Sequence, residues 1–274
     1  LGADLVVLSQ PETLQEPGPR VSGRTDAIGR MIELHTALLP GHDTSLIGAL
    51  MVQMQAAASE YRGPEREGAA TRAADLLAKK FGEHDLSVLA CLQEASTVAF
   101  YGGRVETAMR LQERACAVWD SLPEGVRDPC LAANAHRLLA LAMVQRSASD
   151  EALSAAERAV GECERAFGAR HHVTGLAIAA RAYAKAERGD LAGADADSAF
   201  AARIGEELGK TLSVDQLCHI RFIRGWVLCK LGEEKRGREM VEWAWTTLYQ
   251  HAEPAFVWRQ KAEEVLGGVK SAGG

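Results

Sequence analysis

Aromatic side chains are scarce in this 274-residue chain, at 5%, and nothing in it approaches the ~18 consecutive apolar residues that a membrane span requires. The early apolar run Leu5-Val6-Val7-Leu8 has no basic segment ahead of it, which speaks against a secretory signal. The six cysteines (Cys91, Cys116, Cys130, Cys163, Cys218 and Cys229) stand singly, with no CxxC pair. That distribution excludes a zinc ribbon or a disulfide scaffold and reads as free thiols in a reducing compartment, so a cytoplasmic location is expected. Lys and Arg are not massed anywhere, and the net charge is −6, so no nucleic acid partner and no membrane partner is expected. Signatures of catalysis are also missing: there is no G-x-S-x-G, no H-E-x-x-H, and no Gly-rich loop leading from a strand into a helix. Gly267-Gly268-Val269-Lys270-Ser271 follows a helical stretch and lacks phosphate-loop spacing.

What the chain does have is a ladder of breaks. Leu39-Pro40-Gly41, Phe81-Gly82, Leu122-Pro123, Phe167-Gly168 and Leu208-Gly209 each close an apolar helical run, at steps of 42, 41, 45 and 41 residues. A second column, Ala73, Ala115, Ala159, Ala201 and Ala244, steps by 42, 44, 42 and 43. With no strand-like alternation between the breaks, a repeat of this size predicts stacked helical hairpins, each burying its apolar face against its neighbours.

Two further columns hold small residues: Ala108, Ala152, Ala194 and Gly237 lie seven positions before the ladder alanines, and Ser96, Ala140, Ala182 and Gly225 lie twelve positions before those. Helices approach to the short end of the ~8–10 Å range only where the crossing side chains are small, so these columns mark the crossing points. Five units are predicted, at about 42–80, 84–121, 128–167, 171–208 and 213–250. A helix from Thr25, with Ile28, Met31, Ile32, Leu38 and Leu39 on one face, covers the first end. A helix at about 254–266, carrying Trp258 and Val265, covers the last unit. Residues 25–268 thus form one helical-repeat domain between an extended lead-in (1–24) and a tail (269–274).

The histidines His42, His84, His171 and His172 recur at unit boundaries, which points to loop packing or capping rather than a metal site. Cys218 and His219 project about 100° apart on one helix and do not converge on an ion. The pairs Asp195/Asp197 and Glu233/Glu234 fall at helix starts, where carboxylates offset unpaired N–H groups. No catalytic residue, metal or cofactor is expected, and the chain is read as not an enzyme.

The small-residue columns and the turns resemble the tetratricopeptide repeat (TPR), in its longer form of about 42 residues, which is similar to the repeats of kinesin light chains. The turns Phe81-Gly82-Glu83-His84-Asp85 and Phe167-Gly168-Ala169-Arg170-His171-His172, and the returns Arg104-Val105-Glu106-Thr107-Ala108 and Ser149-Asp150-Glu151-Ala152, carry that likeness over about residues 42–250. The resemblance implies an all-α, right-handed superhelical solenoid of about five antiparallel helix pairs with a capping helix at each end. Its outgoing helices would line a concave face. Counting from the small-residue column, the inward positions are Gln93 and Tyr101 in unit two, and Asn134, Arg137 and Gln145 in unit three. Unit four adds Tyr183 and Glu187, and unit five adds His219, Phe222, Trp226 and Lys230. Tyr183, Phe222 and Trp226 fit either this groove or the core, and Arg137 fits either a partner contact or a solvated or inter-repeat salt-bridging residue. The clamp that the family's chaperone-tail branch uses for a terminal carboxylate needs several Lys and Asn residues, and Asn134 is the one asparagine present.

The function the resemblance implies is a non-catalytic interaction module or scaffold binding a peptide or partner protein in the concave groove. The alternatives are a regulatory or sensor arm of a larger enzyme or transcription regulator, and a structural subunit of a large assembly.

Overall fold

The apolar runs between the Gly and Pro breaks form α-helices. A computed structural model describes residues 28–33, 36, 43–59, 63–124, 127, 129–147, 150–209, 212–248 and 257–267. A helical stretch α1 (28–33) is followed by α2 (Asp43–Ser59), α3 (Gly63–Phe81), α4 (Leu86–Tyr101), α5 (Val105–Ser121), α6 (Pro129–Arg146) and α7 (Asp150–Phe167). Then come α8 (His172–Glu187), α9 (Leu191–Glu207), α10 (Val214–Lys230), α11 (Glu234–Thr247) and α12 (Arg259–Leu266). Among the described residues there is no strand, and no helix is long and apolar enough to cross a membrane.

Consecutive helices from α2 to α11 pack as five hairpins, α2 with α3 through α10 with α11, and each hairpin packs on the next. The outgoing helices also touch one another, α4 with α6, α6 with α8 and α8 with α10. Returning helices are linked by long side chains instead: Arg114 of α5 reaches Asp75 of α3 at 2.8 Å, and Arg158 of α7 reaches Asp120 of α5 at 3.1 Å. A stack whose outgoing helices lie closer together than its returning helices curves toward the outgoing side. That side is the concave face of the solenoid.

The small residues sit where the helices cross. Ala73, Ala115, Ala159, Ala201 and Ala244 are all fully buried, as are Ala108, Ala140, Ala152, Ala182 and Ala194. In unit two the crossing is close enough for Ser96 Oγ to donate to the carbonyl of Ala108 at 2.9 Å. In unit five a methyl group added at Gly225 would lie 2.6 Å from the carbonyl oxygen of Gly237, so only two glycines permit this approach. The turns follow the same economy of volume. Gly103, Gly189 and Gly232 join outgoing to returning helices at φ of 76°, 86° and 86°, a conformation that costs other L-residues about 1–2 kcal/mol.

The ends differ in part from expectation. Ile32 of α1 is buried in one apolar cluster with Leu46, Leu50 and Ala69, and Arg72 of α3 donates to Thr36, just beyond α1, at 2.8 Å. Met31, however, is 66% exposed and lies outside that cluster. Thr25, Leu38, Leu39 and His42, the lead-in 1–24 and the tail 269–274 lie outside the described residues. At boundaries that are described, His171 caps α8 by accepting from the Val173 N–H at 3.4 Å, and His84 pairs with Ser121 at 2.6 Å.

The acidic pairs also divide. Glu233 and Glu234 do begin α11, but Asp195 and Asp197 lie in the second turn of α9. Asp197 is buried between Arg181 at 2.7 Å and Lys185 at 2.8 Å, which hold its carboxyl below the ordinary range against the opposing effect of burial. Asp195 instead binds Arg224 of the next unit at 2.5 Å. Their partners lie on neighbouring helices because this part of α9 faces α8 and α10, so interhelical pairing takes the place of the expected dipole contact.

Candidate binding face

Four outgoing helices, α4, α6, α8 and α10, supply the concave side. The sequence-predicted positions divide into three groups. Gln93 is a brace: it is nearly fully buried, and its amide donates to the carbonyl of Leu131 on the next outgoing helix. Asn134 and Arg137 form a polar pair, with the guanidinium donating to Asn134 Oδ1 at 2.6 Å. The buried Arg137 also faces the phenol of Tyr101, whose pKa is pushed up by burial and partly drawn back by that positive charge. Gln145, half-buried, has an Nε2 with no hydrogen-bond partner among the described residues.

The third group is an aromatic seat. Tyr183 and Trp226 meet edge to face with centroids 5.2 Å apart, and Tyr183, Phe222 and Trp226 are each no more than 3% exposed. Part of this seat is covered by a residue that periodicity alone assigns to the end cap. The indole of Trp258, itself 1% exposed, lies over this face, 5.1 Å from Tyr183, 5.6 Å from Phe222, 5.7 Å from His219 and 6.0 Å from Phe100. These four rings come from units two, four and five. The chain reaches the face through a main-chain bond, with Val257 N–H donating to the carbonyl of Tyr101 at 3.2 Å.

One turn further on, Lys261 Nζ lies 3.1 Å from Glu187 Oε1, 4.8 Å from the Trp226 ring centroid and 5.9 Å from that of Tyr183. Lys230 shares Glu187 at 3.6 Å and sits 4.6 Å over Trp226. Helix α12 packs on α11 and α10 as an end cap should, and Arg238 secures its last turn by donating to the carbonyls of Val265 at 2.6 Å and Leu266 at 3.0 Å. Its leading residues nevertheless run back along the inner face to unit two. Sequence reasoning places Trp258 on the cap and does not single out Lys261. The available signal is their spacing, an indole and an ammonium three residues apart at a helix start, which puts both on one side.

The seat is enclosed and incompletely satisfied. Tyr183 Oη, both ring nitrogens of His219 and Trp258 Nε1 are buried without a hydrogen-bond partner among the described residues. Burial first, and the nearby Arg137 charge second, lower the His219 pKa to about 3, so the ring is neutral at physiological pH. Burial also raises the Tyr183 phenol and pushes the adjacent Cys218 thiol up to about 12. The arrangement offers ring faces, hydrogen-bonding edges and one carboxylate.

Neither a family model nor a curated protein matches the sequence. Solved structures do match in fold. BtubC (BKLC) of P. vanneervenii superimposes with a TM-score of 0.57 over 92% of this chain and 94% of that one, at 14% identity. A putative kinesin light chain of Podosopora anserina, with nearly identical TPR-like repeats, gives 0.53 over 69% and 88%, at 16% identity. The fold is that of the TPR-like helical solenoids.

Proposed function

We propose that this TPR-like protein is a non-catalytic interaction module that holds a segment of a partner protein along its concave face. One observation carries the reading: the inner face already accommodates a stretch of polypeptide, residues 257–261, through a main-chain hydrogen bond, an aromatic seat and a carboxylate-to-lysine pair. A surface that holds one segment in this way has the recognition elements for another, namely ring faces for an anchor side chain and fixed polar groups for register.

A photo-reactive residue placed at Lys230, at the mouth of the face, and in a second protein at the exposed Glu157 on α7, tests this in living cells. Adducts from position 230 that map to one contiguous segment of a partner, in excess of those from position 157, are the expected result. Partner adducts from position 157 alone would place the working surface on the returning helices and overturn the reading.

A further inference from the structure

We infer that residues 257–266 are a resident, exchangeable occupant of the concave face, and that the partner segment recognised there has their chemistry, an indole followed three residues later by a lysine on a helical turn. This rests on the interaction-module reading and adds what the module selects and what holds it closed.

Three observations support it. Capping the array would require α12 to cover only α10 and α11, yet Trp258 reaches rings of units two and four and Val257 bonds to the end of α4. The contacts are specific in kind: the indole is enclosed by Phe100, Tyr183, His219 and Phe222, and the ammonium sits between the Glu187 carboxylate and the faces of Tyr183 and Trp226. A cation over two rings and beside a carboxylate favours lysine and rejects an acidic side chain.

The closed arrangement is also imperfect. The Tyr183 hydroxyl, the His219 ring and the Trp258 indole N–H are buried together without partners among the described residues, and each unmade hydrogen bond weakens the resident's hold relative to an occupant that satisfies them. A tethered occupant acts at high effective concentration, so even an imperfect one competes with a partner in solution.

The test uses the full chain and a labelled peptide with the sequence Val257–Gly267, titrated into wild type and into Trp258→Ala and Lys261→Glu variants whose circular dichroism matches wild type. Both variants are expected to bind the peptide at least tenfold more tightly than wild type, because their own segment no longer fills the face. Replacing the peptide's tryptophan by alanine is expected to cost at least tenfold. Placing Glu at its lysine is expected to cost as much, and Glu187→Lys in the Trp258→Ala chain, where Lys261 of the resident segment is repelled, is expected to restore that loss. Equal affinity for wild type and both variants, or indifference to the peptide's tryptophan and lysine, overturns the inference and leaves the module reading to the cross-links from position 230. A wild type that is a dimer dissociated by the peptide would assign the face to a second copy's tail and overturn the partner assignment.

Discussion

Lys261 Nζ and Glu187 Oε1 lie 3.1 Å apart although 74 residues separate them in sequence, and both side chains are mostly buried. The pair ties the C-terminal helix to the fourth unit of the TPR-like array, and the same ammonium lies over the ring of Trp226. The first outcome to expect concerns this tie. Glu187→Lys brings a new ammonium group up against those of Lys230 and Lys261 and is expected to loosen the segment by on the order of 1 kcal/mol, the scale of a partly shielded ion pair. Faster amide hydrogen exchange across residues 257–266, with α8 unchanged, would register it. Protection unchanged at 257–266 would show that the pair contributes nothing to docking.

The crossing of α10 and α11 sets a second expectation. A methyl group at Gly225 would stand 2.6 Å from the Gly237 carbonyl oxygen, which is backbone and cannot swing aside. Gly225→Ala is therefore expected to destabilise the protein by roughly 1–3 kcal/mol through overpacking, even though alanine favours helix over glycine. Urea denaturation midpoints compare the two, and a more stable variant would contradict the close crossing.

A third outcome concerns His219 and pH. Its folded pKa, about 3, lies below the ordinary value of 6.5, so between these values the unfolded chain binds the proton more readily than the folded one. Stability from this group is complete above about pH 6.5 and declines as pH falls, at a limiting slope of about 1.4 kcal/mol per pH unit. Glu162 and Asp197, whose folded pKa values are lowered by His136 and Arg158 and by Arg181 and Lys185, add their own losses below the ordinary carboxylate values of 4.5 and 3.8. The window from pH 6.5 to 4.5 thus isolates the histidine from these two carboxylates. His172, whose pKa burial and the neighbouring His171 also lower, contributes in the same window, so His219→Phe is expected to reduce the slope there without abolishing it, and a slope unchanged in that variant would assign the proton uptake elsewhere.

The thiols give a fourth. Burial pushes Cys91 up to about 11 and Cys218 to about 12, so neither is ionised at pH 8. Alkylation of both in the folded protein is expected to be at least about a hundredfold slower than in denaturant, as mass mapping of modified peptides would record. Rapid labelling of Cys218 in particular would mean that the packing around α10 opens.

Much of the architecture is legible in the sequence because its determinants are local or periodic. Ala73 through Ala244 recur at one spacing because every hairpin repeats one crossing, and Gly103, Gly189 and Gly232 stand where a tight left-handed turn excludes a Cβ. The inner positions come from the TPR resemblance, counted from the small-residue column, and that count puts Tyr183, Phe222 and Trp226 either in the groove or in the core. What cannot be counted is how the end of the chain covers them. Trp258 meets Phe100 across most of the array, and no helical period connects the two. An apolar stretch after the last repeat indicates only that something must cover exposed surface, so the cap over unit five is readable and its extension into the groove is not. Asp197 teaches the same point on a smaller scale: its partners Arg181 and Lys185 lie on the other helix of its hairpin, where sequence distance gives no cue.

The occupancy of the inner face is tested most directly by zero-length carbodiimide coupling, which joins a carboxylate to an amine only where the two already touch. In the monomeric full chain, mass spectrometry is expected to find an amide bond between Glu187 and Lys261, diminished when Trp258→Ala releases the segment. Coupling of Glu187 to Lys230 alone, with Lys261 unmodified or joined only to carboxylates outside α8, would show that residues 257–266 do not lie along the concave side.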